Sequence, residues 1–239
     1  MMRNLQTFFT YLLLPGLILP LILLAHGHDA VAAATSFSVN GKQVDALLCR
    51  PKGAGPFPAV VYNHGSVVDA LGVSGATARG NRLDVICETL AEDGFLAFFP
   101  IREKVPRGRG YNLYRDYYKD IVLRAIDHVR TLPDVDSVRV AVVGHSMGGL
   151  LTLLVGIERT DVKALVVSAP AQGPDKGRVF NTAVQGVGRL NAPLLLLVEA
   201  SDSNHIIGGV NQLDEALKRH KKDGQGHTVR SRRRTRAFL

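Results

Sequence analysis

Gly144-His145-Ser146-Met147-Gly148-Gly149 constrains what this chain can fold into more than any other stretch. Before it runs Val138-Arg139-Val140-Ala141-Val142-Val143, a β-branched segment that reads as a short buried strand. After it, Leu150 to Ile157 is apolar and helix-compatible. A strand entering G-x-S-x-G and a helix leaving it form the setting of a nucleophile elbow. Side chains at Gly144 and Gly148 would collide with the neighbouring strand and helix, so the turn needs residues without bulk there. The Ser146 hydroxyl is then lifted clear of the sheet, near the amino end of the helix, where free N–H groups favour developing negative charge.

With 239 residues, 46% of them hydrophobic, the chain can fill one sizeable core. Its first segment stands apart. One Arg lies within Met1–Gln6, Phe8 to Ala25 is almost wholly apolar, and Ala30-Val31-Ala32-Ala33-Ala34 offers small residues for cleavage. That is the layout of a secretory signal peptide over 1–34, cut after Ala32 or Ala34, and it implies an exported protein, periplasmic or secreted. The rival layout is an uncleaved membrane anchor, but Pro15, Gly16 and Pro20 interrupt the apolar run. The formal charge is +8, yet Arg230, Arg232, Arg233, Arg234 and Arg236 all fall in the last ten residues. The body is only mildly basic, which argues against a nucleic-acid partner. Cys49 and Cys87 fall in an expected strand and an expected helix and read as two buried free thiols; export leaves their oxidation open.

Strands and helices alternate along 35–222, which is read as one domain without internal repeats. Thr35–Val39 and Val44–Cys49 read as a hairpin turning at Asn40-Gly41, a pair suited to a type I′ turn. A core strand at Ala59–Tyr62 leads to Asn63-His64-Gly65-Ser66 and a Gly-rich loop. Helix Arg82–Glu92, strand Phe95–Phe99 and amphipathic helix Tyr114–Leu132 follow. Beyond the elbow come strand Ala164–Ser168, an irregular 169–190 that could cap a pocket, strand Leu194–Val198 and helix Asn211–Lys221. This order predicts an α/β fold, a mostly parallel central sheet with helices on both faces.

A catalytic serine needs a base for its proton and a carboxylate to orient that base. In open parallel sheets such groups gather beyond the carboxyl ends of the strands. Asp202, three residues past Glu199 at the end of a strand, is the expected acid, with Glu199 as substitute. For the oxyanion, Met147 N–H and an N–H from Gly65 or Ser66 are the expected donors. His227 is the expected base by its order in the chain. His205 stands only three residues from Asp202, His145 flanks the nucleophile with its ring turned away, His220 lies on a charged helix face, and His64 reads as a loop former. Arg102, Arg107, Arg109 and Tyr111, in the loop after strand 95–99, could form a cationic substrate-binding rim for a carboxylate, or simply a solvated loop.

These segments together resemble the dienelactone hydrolase-like branch of the α/β-hydrolase superfamily. The likeness is carried by Val61–Ser66, Phe99-Pro100-Ile101-Arg102, Asp136–Gly149 and Glu199-Ala200-Ser201-Asp202, over about residues 58–217. Dienelactone hydrolases proper have a cysteine where this chain has Ser146, so the resemblance implies a serine esterase or acyl-peptidase-like relative rather than the dienelactone substrate. It also implies a further strand after helix 211–221, a loop with the catalytic histidine, and a closing helix. Here only Lys222-Asp223-Gly224-Gln225 separates that helix from Gly226-His227, and the last strand and closing helix read as missing or altered.

Residues 223–239 therefore form a basic tail of two possible origins. One is a segment for a polyanion or membrane. The other is translation out of frame: synonymous codons exist for Gly224 to Arg236 whose shifted reading gives Val-Arg-Val-Thr-Leu-Tyr, then Ala-Pro, then Gly-His. On that second reading the true histidine is absent from this chain. The expected activity is a metal-free and cofactor-free serine hydrolase acting on a small-molecule ester or related acyl substrate, with no stable membrane partner after signal cleavage. Cleavage of a peptide or amide by the same fold, and a truncated protein that only binds its ligand, are the alternatives. Amino-terminal sequencing of the exported protein is expected to begin at Ala33 or Thr35; a first residue upstream of Phe8 would instead indicate the anchor.

Overall fold

The hairpin expected at Asn40-Gly41 forms as its turn chemistry demands, with φ of 49° and 79° at the two residues. It joins β1 (Ala33–Val39) to β2 (Lys42–Cys49). The computed structural model describes residues 31–103, 111–173, 177–220 and 227–232; most of the expected signal peptide and the last seven residues, 233–239, lie outside them. Chain order continues with β3 (Phe57–Asn63), α1 (Ser66–Thr77), α2 (Leu83–Glu92), β4 (Leu96–Pro100) and α3 (Tyr111–Arg130). Then come β5 (Val135–His145), α4 (Met147–Glu158), β6 (Ala164–Ser168), α5 (Arg178–Gly186), β7 (Leu194–Glu199), α6 (Asn204–Arg219) and β8 (His227–Arg232).

The eight strands lie in the order β1-β2-β4-β3-β5-β6-β7-β8. Pairings β1–β2 and β2–β4 are antiparallel, and all others are parallel. Alternation along each strand sends residues to two faces. Val140, Val142, Leu165, Val167, Leu194 and Leu196 point into the larger core, shared with α3, α4, α5 and α6. Ala97, Phe99 and Cys49 point the other way, against α1 and α2. On that second face Ala141, Val143, Ala164, Val166, Leu195 and Leu197 remain half-buried. Among the described residues, the helices of this face cover β2, β3 and β4 but do not reach β6 and β7.

Besides shifts in helix ends, four features differ from the sequence-based expectation. The segment after Ser66 is a helix, not a loop, kinked where Gly72 takes φ 69°. Residues 178–186 also form a helix, burying Val179, Phe180, Ala183 and Val184. The last strand is present: His227–Arg232 itself pairs parallel with β7, although its composition lacks an apolar alternation. Finally, Cys49 and Cys87 are not free thiols. They form a disulfide with Cα atoms 5.7 Å apart, joining β2 to α2 across 38 residues.

The disulfide closes a loop long enough to restrict the unfolded chain substantially. Replacing both cysteines by alanine is expected to lower stability by about 2–4 kcal/mol, read from urea unfolding of the oxidised protein. Equal unfolding midpoints for the two proteins would show that the bond contributes nothing.

Candidate active site

At the carboxyl end of β5 the chain makes the sharp turn that the glycines permit. Ser146 stands between β5 and α4 at φ 55°, ψ −118°, a conformation that is strained for a residue with a side chain. Three backbone bonds hold it there. Its N–H donates to Ser168 O at 2.9 Å, and its carbonyl accepts from Leu150 N at 3.1 Å and Ala171 N at 2.9 Å. A methyl group at Gly148 would lie 1.9 Å from Asn63 O, and one at Gly144 would lie 2.2 Å from Gly148 O. Both glycines of the motif are thus demanded by contact. Behind them, Asn63 Nδ2 donates to Thr152 Oγ1 at 3.0 Å within the core, fastening β3 to α4.

Gly65 and Ser66 come to the nucleophile from the neighbouring strand. A Cβ built on Gly65 would sit 3.4 Å from Ser146 Cβ. Ser66 opens α1 as Met147 opens α4. First-turn N–H groups have no partner inside their own helices, so two amino-terminal helix ends converge on Ser146. Such a place suits an anion.

Arg102 is not a rim residue. It is 1% exposed, packed behind the His64–Gly65 loop with His64 and Asp69. Its Nε lies 3.1 Å from Asp69 Oδ1, and its guanidinium carbon sits 5.3 Å from the centre of the Tyr118 ring. Desolvation lowers the Arg102 pKa, with Asp69 opposing. Burial likewise holds His64 well below its usual range, and the Arg102 charge adds to the effect. Asp69 is pushed up to about 6 by burial, against the pull of Arg102. Tyr111 begins α3, but its side chain, like Arg107 and Arg109, lies outside the described residues.

On the acid side, Asp202 closes the turn after β7. Its Oδ2 accepts from Glu199 N at 3.1 Å, while its own N–H donates to Glu199 O at 3.1 Å. Ser203 then caps α6 by accepting from Ile206 N, which starts that helix seven residues before the expected Asn211. The His145 ring is turned toward this side, with Nδ1 3.4 Å from Ser168 Oγ. Desolvation lowers its pKa, and the charges of Asp202 and Glu199 partly offset that. His205 is the second residue of the same helix; its carbonyl accepts from Gln172 Nε2 at 2.5 Å, next to the Ala171 that bonds Ser146. The ring of His220, at the far end of α6, faces Gly188.

His227 is not brought to this site. It pairs with Leu194 at the start of β7, whereas Glu199 at the site end pairs with Arg232. At roughly 3.3 Å per residue in a parallel ladder, its backbone stands about 17 Å along the sheet from the level of Glu199. The tail forms its strand from the residue that was expected to follow one. Among the described residues no histidine ring hydrogen-bonds the Ser146 hydroxyl.

A sheet of this order, with a serine elbow at the carboxyl end of a central strand, defines an α/β-hydrolase. The family described as serine aminopeptidase, S33, matches residues 70–228, and the chain belongs to it. The chain is 22% identical over 210 residues to the uncharacterised peptidase YtmA of Bacillus subtilis, covering 77% of this chain and 78% of that one. Two examples stand for the solved structures that share the fold. One is a dienelactone hydrolase from Anabaena variabilis, at TM-score 0.63 and 21% identity, with 86% of this chain and 88% of that one covered. The other is the Pyrococcus horikoshii acylaminoacyl peptidase, at TM-score 0.67 and 14% identity, with 84% of this chain but 37% of that one covered.

The raised pKa of Asp69 has a definite sign in stability. Its native value, about 6, lies above the 3.8 of an unperturbed carboxyl. The native state therefore keeps a proton that the unfolded chain releases, and this contribution is lost as pH rises from about 4 to about 6, by at most about 3 kcal/mol. An Asp69→Leu/Arg102→Met double variant lacks it. The stability of the variant minus that of the wild type, from urea unfolding, is expected to increase over this window; a flat difference refutes the assignment.

Proposed function

We propose that this chain is a serine hydrolase that cleaves a carboxylic ester or related acyl bond through an acyl-enzyme on Ser146. The observation that carries this reading is the strained Ser146 backbone, with Gly65 so close that a Cβ built on it would lie 3.4 Å from Ser146 Cβ, and two helix amino ends converging beside it. Ser146 Oγ attacks the substrate carbonyl and gives up its proton to a base. The negative oxygen that forms accepts hydrogen bonds from Met147 N–H and from Gly65 or Ser66 N–H. The alcohol leaves, and water then attacks the acyl-enzyme and releases the acid. Asp202, with Glu199 beside it, supplies negative charge at the edge of the site. His205 is the proton acceptor we favour over His227, because its segment is tied through Gln172 and Ala171 to the Ser146 backbone.

Ester is favoured over amide for a chemical reason. An amine leaving group must be protonated as it departs, which requires a well-placed acid, whereas many alkoxides leave with less help. A loosely supported base therefore penalises peptides more than esters. Export is part of the same reading, and the Cys49–Cys87 bond supports it, since disulfides persist in oxidising compartments. A second reading, a hydrolase-fold protein that binds acyl compounds without cleaving them, draws on the placement of His227 at the opposite end of the sheet.

The test is labelling of the mature protein with a fluorophosphonate, together with hydrolysis of p-nitrophenyl acetate and of the matching anilide. Labelling is expected to vanish in Ser146→Ala, with ester turnover down by about 10³-fold or more. Loss of turnover in His205→Ala but not in His227→Ala would identify the base. A folded wild-type protein that takes up no label would support the binding-only reading instead.

A further inference from the structure

Arg102 heads the fully buried large side chains of this protein, in a place where a cation must be compensated. Its contacts converge on one short piece of backbone. Nη2 donates to the His64 carbonyl and lies 3.5 Å from Asp69 Oδ2, while Nε faces Asp69 Oδ1 at 3.1 Å. The backbone N–H of Arg102 donates to His64 Nε2 at 3.0 Å. With Nε2 as acceptor, the proton of a neutral imidazole is assigned to Nδ1, which lies 3.0 Å from the Gly65 carbonyl and also 3.0 Å from Arg102 Nη2. That carbonyl also accepts from Val68 N at 3.2 Å.

The consequence follows from peptide geometry. In a trans peptide the C=O and the N–H point in opposite directions across one rigid plane. Holding His64 O from behind fixes the direction of Gly65 N–H, and holding Gly65 O fixes that of Ser66 N–H. The two carbonyls are drawn into the protein, toward Arg102 and His64, and the two N–H groups are left facing the other way. Ser146 lies against this loop, its Cβ 3.4 Å from a Cβ built on Gly65.

We propose that Arg102, countered by Asp69 and acting through the His64 ring, is a positioning group that aims the Gly65 and Ser66 N–H groups at the oxyanion. The proposal rests on the reading of those two groups as oxyanion donors. Asp69 belongs to α1 and Arg102 follows β4, so the ion pair also ties the first turns of α1 to the neighbouring strand. Tyr118, from α3, covers the guanidinium on a third side and donates to Glu103 O at 2.7 Å. No part of this cluster touches the reacting atoms; it acts only by fixing two peptide planes.

The test uses Asp69→Leu/Arg102→Met, which removes both charges together and leaves neither buried alone. Arg102→Lys keeps the charge but lacks the fork, and is read in the same way should the double variant not fold. Amide exchange is followed at Val68 and Arg102, whose N–H groups bond the loop, with Leu150 on the Ser146 carbonyl as internal reference. Exchange at the two loop amides is expected to accelerate by about 10-fold or more, with Leu150 unchanged. In parallel, the acylation rate constant with p-nitrophenyl acetate is expected to fall by about 10²-fold while the dissociation constant of the non-covalent substrate complex is unchanged. Wild-type protection at Val68 and Arg102 in a folded variant, or unaltered acylation, overturns the proposal. If the wild type is not acylated at all, the esterase reading fails, and the exchange result alone decides whether Arg102 holds the loop.

Discussion

The approach of Gly148 to the carbonyl of Asn63 is the contact on which the site is built. The gap would leave a methyl group only 1.9 Å from that oxygen, so α4 starts as close to the end of β3 as backbone allows. From this proximity the rest follows. The Gly65 loop, continuing from β3, reaches Ser146, and the amino ends of α1 and α4 converge. The turn between β5 and α4 becomes so tight that Ser146 has to adopt a positive φ. A residue held this way carries strain on the order of 1–3 kcal/mol, which the surroundings must offset. Three backbone hydrogen bonds and the buried Leu150, Leu151 and Leu153 of α4 do so.

The two sides of this frame differ in polarity. On one the amino ends of α1 and α4 face Ser146, with the compensated Arg102–Asp69 pair behind the Gly65 loop; beyond β7 lie Glu199 and Asp202, both within electrostatic reach of His145. Ser146 stands between a region where negative charge is welcomed and one where positive charge is. The asymmetry comes from the parallel sheet, which delivers every loop after a strand to the same edge.

The elbow was legible because its demands are local: β-branched residues before it, small residues at fixed offsets, an apolar helix after it. The hairpin at Asn40-Gly41 was legible for the same reason. What was not legible depended on partners distant in sequence. Gly72 and Gly75 made 66–77 look like a loop, although Gly72 only kinks the helix there. Cys49 and Cys87 carry no distance in their spacing. Arg102 looked exposed because arginines usually are; only Asp69 and the His64 carbonyl, far along the chain, make burial tolerable. The Asp202 loop after β7 was anticipated by the rule for strand ends, whereas the position of His227 required the register.

A strand at the margin of a parallel sheet is recruited by its peptide groups, which every sequence carries, and β8 is such a strand. Its neighbour β7 presents a row of donors and acceptors that His227–Arg232 satisfies regardless of hydropathy. Architecture and chemistry are therefore separable at this end of the molecule. A terminal segment can complete the ladder while leaving its histidine at the opposite end of β7 from Glu199. The half-buried Val143, Val166, Leu195 and Leu197 on the adjoining face record the same separation, since side-chain complementarity, unlike a backbone ladder, cannot be supplied by arbitrary residues.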